Sequence, residues 1–254
     1  MKKTVLLGTL LGGLVGTGAG AQAAASNTAQ VYGVAGVFLA RTKLSGDAGA
    51  VIQELPGGLT TSFIGVRGEE DLGGGYKTIF ALESFLRPDT GEQGRYTGDP
   101  LFSRNAWVGV EGDFGRLMLG RQINPIYMVM AQLSPYGNAI GFSPLVQHTF
   151  VPQFGGAILG DTAWSNALRY VSHVVGGFRG MAIYAPGESA KGAGVANLGL
   201  HGIYANGKFG ASLSAQRLRA NGGVALPAEQ LAGVAGMAYD FDVAKAFASA
   251  ARTR

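Results

Sequence analysis

From Phe63 to Ser84 the chain reads FIGVRGEEDLGGGYKTIFALES, two runs of alternating residue character joined by Gly73, Gly74 and Gly75. In a strand, successive side chains face opposite ways. A wall with lipid on one side and water on the other therefore needs alternation rather than a continuous apolar run. This stretch predicts a long hairpin of a transmembrane β-barrel and points to transport rather than catalysis.

The first residues carry Lys2 and Lys3, an apolar stretch from Val5 to Val15, and small residues ending in Ala21-Gln22-Ala23. That is the layout of a cleaved secretory leader over residues 1–23, followed by one domain over 24–254. As a helix, the apolar stretch would rise only about 16 Å, against a hydrocarbon core of about 30 Å. Later in the chain no apolar run is long enough for a spanning helix, so any membrane crossing is by strands. Loss of the leader removes two of the 20 basic residues and none of the 16 acidic ones, leaving a nearly balanced and scattered charge. A nucleic-acid-binding footprint is excluded on that ground. With no cysteine there is neither a disulfide framework nor a thiolate site. The 43 glycines follow no collagen period and suit turns and crowded strands.

Strands are expected over 29–41, 61–72, 76–85, 102–112, 116–122, 166–174, 179–185, 195–206, 208–218 and 231–242, with an unfinished one from Val243. Short joints at 73–75, 113–115, 175–178 and Asn206-Gly207 alternate with long segments at 42–60, 86–101, 123–165, 186–194 and 219–230. Short turns on one rim and long loops on the other are the arrangement of an outer-membrane barrel. Phe209, Ala211, Leu213 and Ala215 are expected to face lipid, with Gly210, Ser212, Ser214 and Gln216 facing water. Leu231, Ala235, Met237, Tyr239 and Phe241 share a face, the last two placed for an aromatic girdle. A soluble β-sandwich also alternates, but strands of about nine to twelve residues suit a tilted bilayer crossing better.

The pieces QVYGVAGV (30–37), IGVRGEEDLGGGYKTIFALES (64–84), LFSRNAWVGVEGDFGRLMLGRQ (101–122), PQFGG (152–156), NALRYVS (166–172) and YDFDVAKAF (239–247) resemble, in order, the Gram-negative general porins, above all the trimeric porins of β-proteobacteria. The resemblance implies an all-β, 16-stranded antiparallel transmembrane barrel in the outer membrane, of which about eleven strands are present. It implies a homotrimer in outer-membrane lipid and lipopolysaccharide, a third loop folded inward as a constriction, and passive diffusion of small hydrophilic solutes and ions. Related chains continue for about five more strands and end in an aromatic residue, so this one reads as the first two-thirds of a porin. The expectation is that 24–254 alone does not close into a stable channel, because an open edge leaves unpaired backbone groups in hydrocarbon.

The resemblance also assigns the constriction. Arg104 and Arg169 correspond to wall arginines, Phe63 stands where another is usual, and Arg67 shares its strand parity. Arg179 is a further candidate. On the loop side, 123–164 contains one carboxylate, Asp161, and Gln153 stands where PEFGG motifs carry an acid. Retained arginines opposite a nearly acid-free loop predict anion preference. Arg121 shares parity with Leu117 and Leu119 and is expected to face a neighbouring subunit; Trp107 is expected to contact lipid or a subunit. The apolar loop, with Tyr127, Met128, Met130, Phe142 and Phe150, needs burial, which folding into the lumen supplies, and its methionines suit a short helix. His148, His173 and His201 are isolated, no catalytic or phosphate-binding motif occurs, and Glu69-Glu70-Asp71 reads as a solvated rim. No enzyme activity, cofactor or metal is implied. The other readings are an outer-membrane barrel lipase or protease, and an exported adhesion or binding protein.

Overall fold

The computed structural model describes residues 27–43, 45–136, 139, 142–150, 160–187, 196–220 and 228–254. The expected leader and Gln153 lie outside these residues. The strands are β1 (Thr28–Val34), β2 (Val37–Thr42), β3 (Val51–Pro56), β4 (Phe63–Gly73), β5 (Tyr76–Arg87), β6 (Glu92–Gln93), β7 (Asn105–Gly112) and β8 (Gly115–Ile123). Two helices follow, α1 (Pro125–Gln132) and α2 (Pro144–Phe150). Then come β9 (Ala163–Val171), β10 (Phe178–Ala185), β11 (Asn197–Asn206), β12 (Phe209–Ala220), β13 (Ala228–Asp240) and β14 (Lys245–Thr253).

The main sheet is an antiparallel meander in the order β1-β4-β5-β7-β8-β9-β10-β11-β12-β13-β14, with β1 and β14 as its edges. Among the described residues no helix is long and apolar enough to cross a membrane. The predicted 63–84 hairpin forms as β4 and β5. Gly73, Gly74 and Gly75 all take positive φ (78°, 62° and 83°), a region a Cβ disfavours. Alternation sorts the side chains as predicted. Val31, Ile64, Val66, Val108, Leu119, Leu213 and Met237 stand exposed on the outward face. At the short-turn rim, aromatic rings pair: Tyr76 with Phe114 (6.4 Å), Tyr204 with Phe209 (6.2 Å) and Tyr239 with Phe241 (4.6 Å). A belt of aromatic rings suits the membrane–water boundary.

The first strand departs from expectation. It stops at Val34, and β2 leaves the sheet to pair with β3 inside the segment expected to be loop. The break is fixed at Gly36, whose N–H and C=O bond the Ser62 hydroxyl (3.0 and 3.1 Å) and whose C=O also accepts from Gly57 N–H (2.7 Å). With its backbone groups so engaged, Gly36 cannot continue the β1 ladder. The hairpin leans on the long inward loop through Phe38 and Phe142, 5.6 Å apart. At the other end, the strand expected from Val243 starts at Lys245: β14 pairs β13 from Ala232–Thr253 to Asp240–Lys245, and Val243 sits exposed in the turn.

Among the described residues the larger buried apolar cluster is on the inward face. Ile126, Val129 and Met130 of α1 and Val146 of α2 are essentially inaccessible and pack on Ala232, Val234 and Ala238 of β13. Met128 and Met130 thus do lie on a helix inside the wall. The polar row of β12 is not bathed in water as expected: Ser212, Ser214 and Gln216 face inward but are buried beneath α1.

Candidate channel lumen

The long segment after β8 turns inward because its start is a strong helix N-terminus. The Asn124 side chain accepts from Tyr127 N–H (2.9 Å), and Pro125 occupies the first turn, where its missing N–H costs nothing. Asn124 also closes the loop: its N–H donates to Thr162 C=O (2.8 Å) and its side-chain amide to Asp161 C=O (2.8 Å). A Cβ on Gly199 would lie 2.7 Å from Pro125 Cγ, so glycine there lets the helix approach β11. Beneath it, Ser214 Oγ donates to Pro125 C=O (3.0 Å) and lies 2.8 Å from His201 Nδ1. With the hydroxyl proton committed to that carbonyl, and no carboxylate on His201 Nε2 among the described residues, this pair fastens the helix rather than activating a nucleophile.

Opposite α1, the wall of β4, β5 and β7 carries the charged groups. Glu83 is the hub: the Tyr32 hydroxyl donates to one oxygen, Arg104 and the Asn105 amide to the other. The Arg104 guanidinium sits 4.0 Å over the Phe63 ring, so the aromatic at the position expected to be arginine serves as its platform. Arg104, Tyr127, Met128, Gln132, Thr60 and Phe85 line a cleft of about 240 Å³ between wall and helix. Burial raises the Tyr127 phenol pKa, while Arg104 and Arg95 pull it the other way.

The remaining predicted residues separate. Arg67 faces inward, exposed, donating to the neutral Gln30 amide oxygen (3.0 Å) with its guanidinium 4.7 Å from the Tyr32 ring centre. Arg179 is inward-facing and exposed beside the short-turn rim, with no ion pair or side-chain hydrogen bond to a described residue. Arg169 is on the inward face but buried, donating to Ile123 C=O, its Nε without a partner among the described residues. Trp107 is a correction: it lies opposite Ala81 on the inward face and lines a recess with Arg67, Glu83, Asn105 and Glu111.

Asp161 is not free to face the pore. Arg95 pairs with both its oxygens (2.6 and 3.1 Å), and Arg121 reaches it as well. Burial acts to raise the Asp161 carboxyl, but Arg95 and then Arg121 outweigh it and hold it at about 2. Asp99 bonds the same Arg95 (2.9 and 3.0 Å) and is lowered by it in spite of its own burial. Between them the two carboxylates push the Arg95 pKa up against desolvation. Arg121 keeps its place in the outward row of β8, opposite Ala106, and still reaches the loop network: where the β8–β9 register shifts, Ser165 and Asn166 of β9 bulge opposite it, and it bonds Ser103 C=O (2.6 Å) and Ser165 (3.0 Å) as well as Asp161. Glu83, Arg95, Asp99 and Arg121 were missed as site residues. For Glu83 a signal existed: an acid on the inward parity of a strand needs cationic or hydrogen-bonding partners once it is enclosed. Among the described residues no group of acids and histidines could hold a metal, and Glu69 is paired with Lys77 at 3.1 Å.

A family model described as Gram-negative porin matches residues 10–254. The chain is 32% identical over 194 residues to outer membrane porin protein 32 of Delftia acidovorans, covering 74% of this chain and 53% of that protein. It is 28% identical over 207 residues to an outer membrane porin protein of Bordetella pertussis, covering 74% and 51%. It thus spans about half the length of these two relatives. Among solved structures, an anion-selective porin from Comamonas acidovorans superposes with a TM-score of 0.73 at 26% identity, over 90% of this chain and 68% of the other.

Proposed function

The chain belongs to the Gram-negative porin family of outer-membrane β-barrels, and from that premise we propose that it forms the wall and constriction of a water-filled channel for small hydrophilic solutes, with a preference for anions. The observation that carries the preference is the charge left over on the inward face. Glu83 is taken by Arg104, Glu111 by Arg116 (2.6 Å), Glu69 by Lys77 and Asp161 by Arg95 and Arg121. Arg67, Arg169 and Arg179 have no carboxylate partner among the described residues. Fixed positive charge between low-dielectric walls concentrates anions. The anion selectivity in the description of the similar solved porin is consistent with this reading. Arg104, offset by Glu83, contributes less than its position suggests, and Arg169 acts from behind the helix.

The same reading includes a homotrimer, supported by family membership, and contact with outer-membrane lipid and lipopolysaccharide, supported by the exposed apolar rows of the outward face. Conduction also requires partners for the sheet edges β1 and β14, since unpaired backbone groups are costly in hydrocarbon. The test is the reversal potential of single channels across a KCl gradient. An anion-favouring potential that weakens in the Arg67→Ala, Arg179→Ala double variant supports the proposal; a cation-favouring potential, or none of that weakening, overturns it.

A further inference from the structure

The outward face of β11–β14 carries positive charge where lipid-facing rows are otherwise apolar. Arg217 shares its face of β12 with Ala211, Leu213 and Ala215, away from the lumen, and pairs with Leu231. Leu231 exchanges both backbone hydrogen bonds with Arg254 (3.0 and 2.8 Å), so Arg217 and Arg254 flank it in one row, with Arg252 opposite Gly233 just below. With adjacent strands about 4.8 Å apart, the Arg217 and Arg254 backbones lie roughly 10 Å apart, within reach of one headgroup for two flexible guanidiniums. None of the three arginines makes an ion pair or side-chain hydrogen bond with a described residue, and Arg217 Nε is shielded and unpartnered. Glu229, one row above, is taken by Arg219 at 2.7 Å.

The row lies toward the long-loop end of the strands. On the porin reading, on which this inference rests, that end meets the outer leaflet. Arginine on an outward face is costly at the bilayer centre but tolerated near the interface, where it meets anionic headgroups. Directly beneath is a cleft of about 400 Å³ walled by Leu198, Leu200, Ala215 and Leu231. Through Leu200 and Ala215 it continues into a trough of about 960 Å³, floored by Ala211, Ala235, Ala248 and Ala250 and ending at Phe178, Tyr204 and Phe209. Small side chains leave a furrow there, and from Arg217 to Phe209 the strand spans roughly 26 Å. We propose that this face binds a phosphate-bearing acylated lipid of the outer leaflet, its phosphate held by Arg217, Arg252 and Arg254 and an acyl chain lying in the trough.

The test is native mass spectrometry of the detergent-refolded full chain with three probes: a bisphosphorylated acylated glucosamine disaccharide, its phosphate-free counterpart, and inorganic phosphate. The wild type is expected to retain the phosphorylated lipid at least tenfold more tightly than the phosphate-free one. The R217Q/R252Q/R254Q variant is expected to lose that discrimination, and Ala215→Trp, which fills the furrow, to weaken the lipid without changing inorganic phosphate. Equal retention of the two lipids by the wild type overturns the proposal, and this comparison stands even if the triple variant fails to fold. Displacement of the lipid by inorganic phosphate at matched concentration also overturns it. So does a trough covered by a second copy, read as a dimer mass that Ala215→Trp abolishes. Planar-bilayer conductance of a version extended by strands that pair β1 and β14 separates the two readings: equal retention of the two lipids by the wild type with anion-favouring channels from the extended version sinks the lipid site alone, and phosphate discrimination with no channels from the extended version sinks the channel alone.

Discussion

Replacing Asp161 by asparagine keeps its shape and removes its charge, which isolates the electrostatic fastening of the inward loop. Asp161 is held at about 2, below the ordinary carboxylate value of 3.8. This difference corresponds to about 2.5 kcal/mol favouring the charged form in the folded state. The side chain is 32% exposed, and screening brings the expected contribution to about 1–2 kcal/mol. Because the folded value lies below the unfolded one, that stability is fully present above about pH 4 and is lost as pH falls toward 2. The assay is urea unfolding in detergent, followed by fluorescence of Trp164, which is buried three residues away. Wild type is expected to exceed Asp161→Asn by about 1–2 kcal/mol at pH 7, with the gap closing between pH 4 and pH 2. Asp99 shares Arg95 with Asp161, so the same difference is also measured between Asp99→Asn and Asp99→Asn/Asp161→Asn, which removes its titration. A gap that persists unchanged at pH 2 would show that hydrogen-bond geometry, not charge, fastens the loop; no gap at pH 7 would refute the role altogether.

Glu83→Gln leaves Arg104 without its counter-charge and is expected to move the reversal potential further toward anions, read in a KCl gradient; a move toward cations would contradict the offset. Met130→Ala opens a hole in a fully buried cluster and is expected to cost about 2–5 kcal/mol in urea unfolding, with raised channel noise as the helix loosens. Leu213→Arg places a charge on the exposed outward face of β12 and is expected to cost about 2–4 kcal/mol if the residue lies near the bilayer midplane, measured by folding yield in vesicles. A soluble, unaffected variant would argue against lipid contact there.

What could be read from the chain was whatever a period of two or a turn residue encodes locally. The hairpin at 63–84 and the outward rows of β12 and β13 are of that kind. Three features were not legible, each for a physical reason. The β2–β3 hairpin depends on Gly36 meeting Ser62, a contact across 26 residues that leaves no periodic trace. Arg121 obeys outward parity in sequence and in the sheet, but its bond to Asp161 crosses 40 residues and depends on the β9 bulge at Ser165 and Asn166. Trp107 is of opposite parity to Arg104, which in sequence points it outward; Arg104 precedes the strand, and β7, starting at Asn105, puts Trp107 inside. At the site, Arg67, Arg104, Arg169 and Arg179 all lie on the inner side, but that Arg104 is the one offset depends on Glu83, a partner 21 residues away that pattern alone does not pair with it.

The inward helix sets an order of events. Ile126, Val129 and Met130 leave the growing chain about a hundred residues before Ala232, Val234 and Ala238, the surface on which they come to rest. Until β12 and β13 are in place, Ser214 cannot reach Pro125 and those apolar side chains have no seat, so the helix waits undocked while the wall is built around it. Closing such distant contacts is slow, and an exposed apolar segment is vulnerable in the interval. Proteolysis of refolding intermediates should therefore cut near residues 125–132 early and stop cutting there only after β12 and β13 have paired.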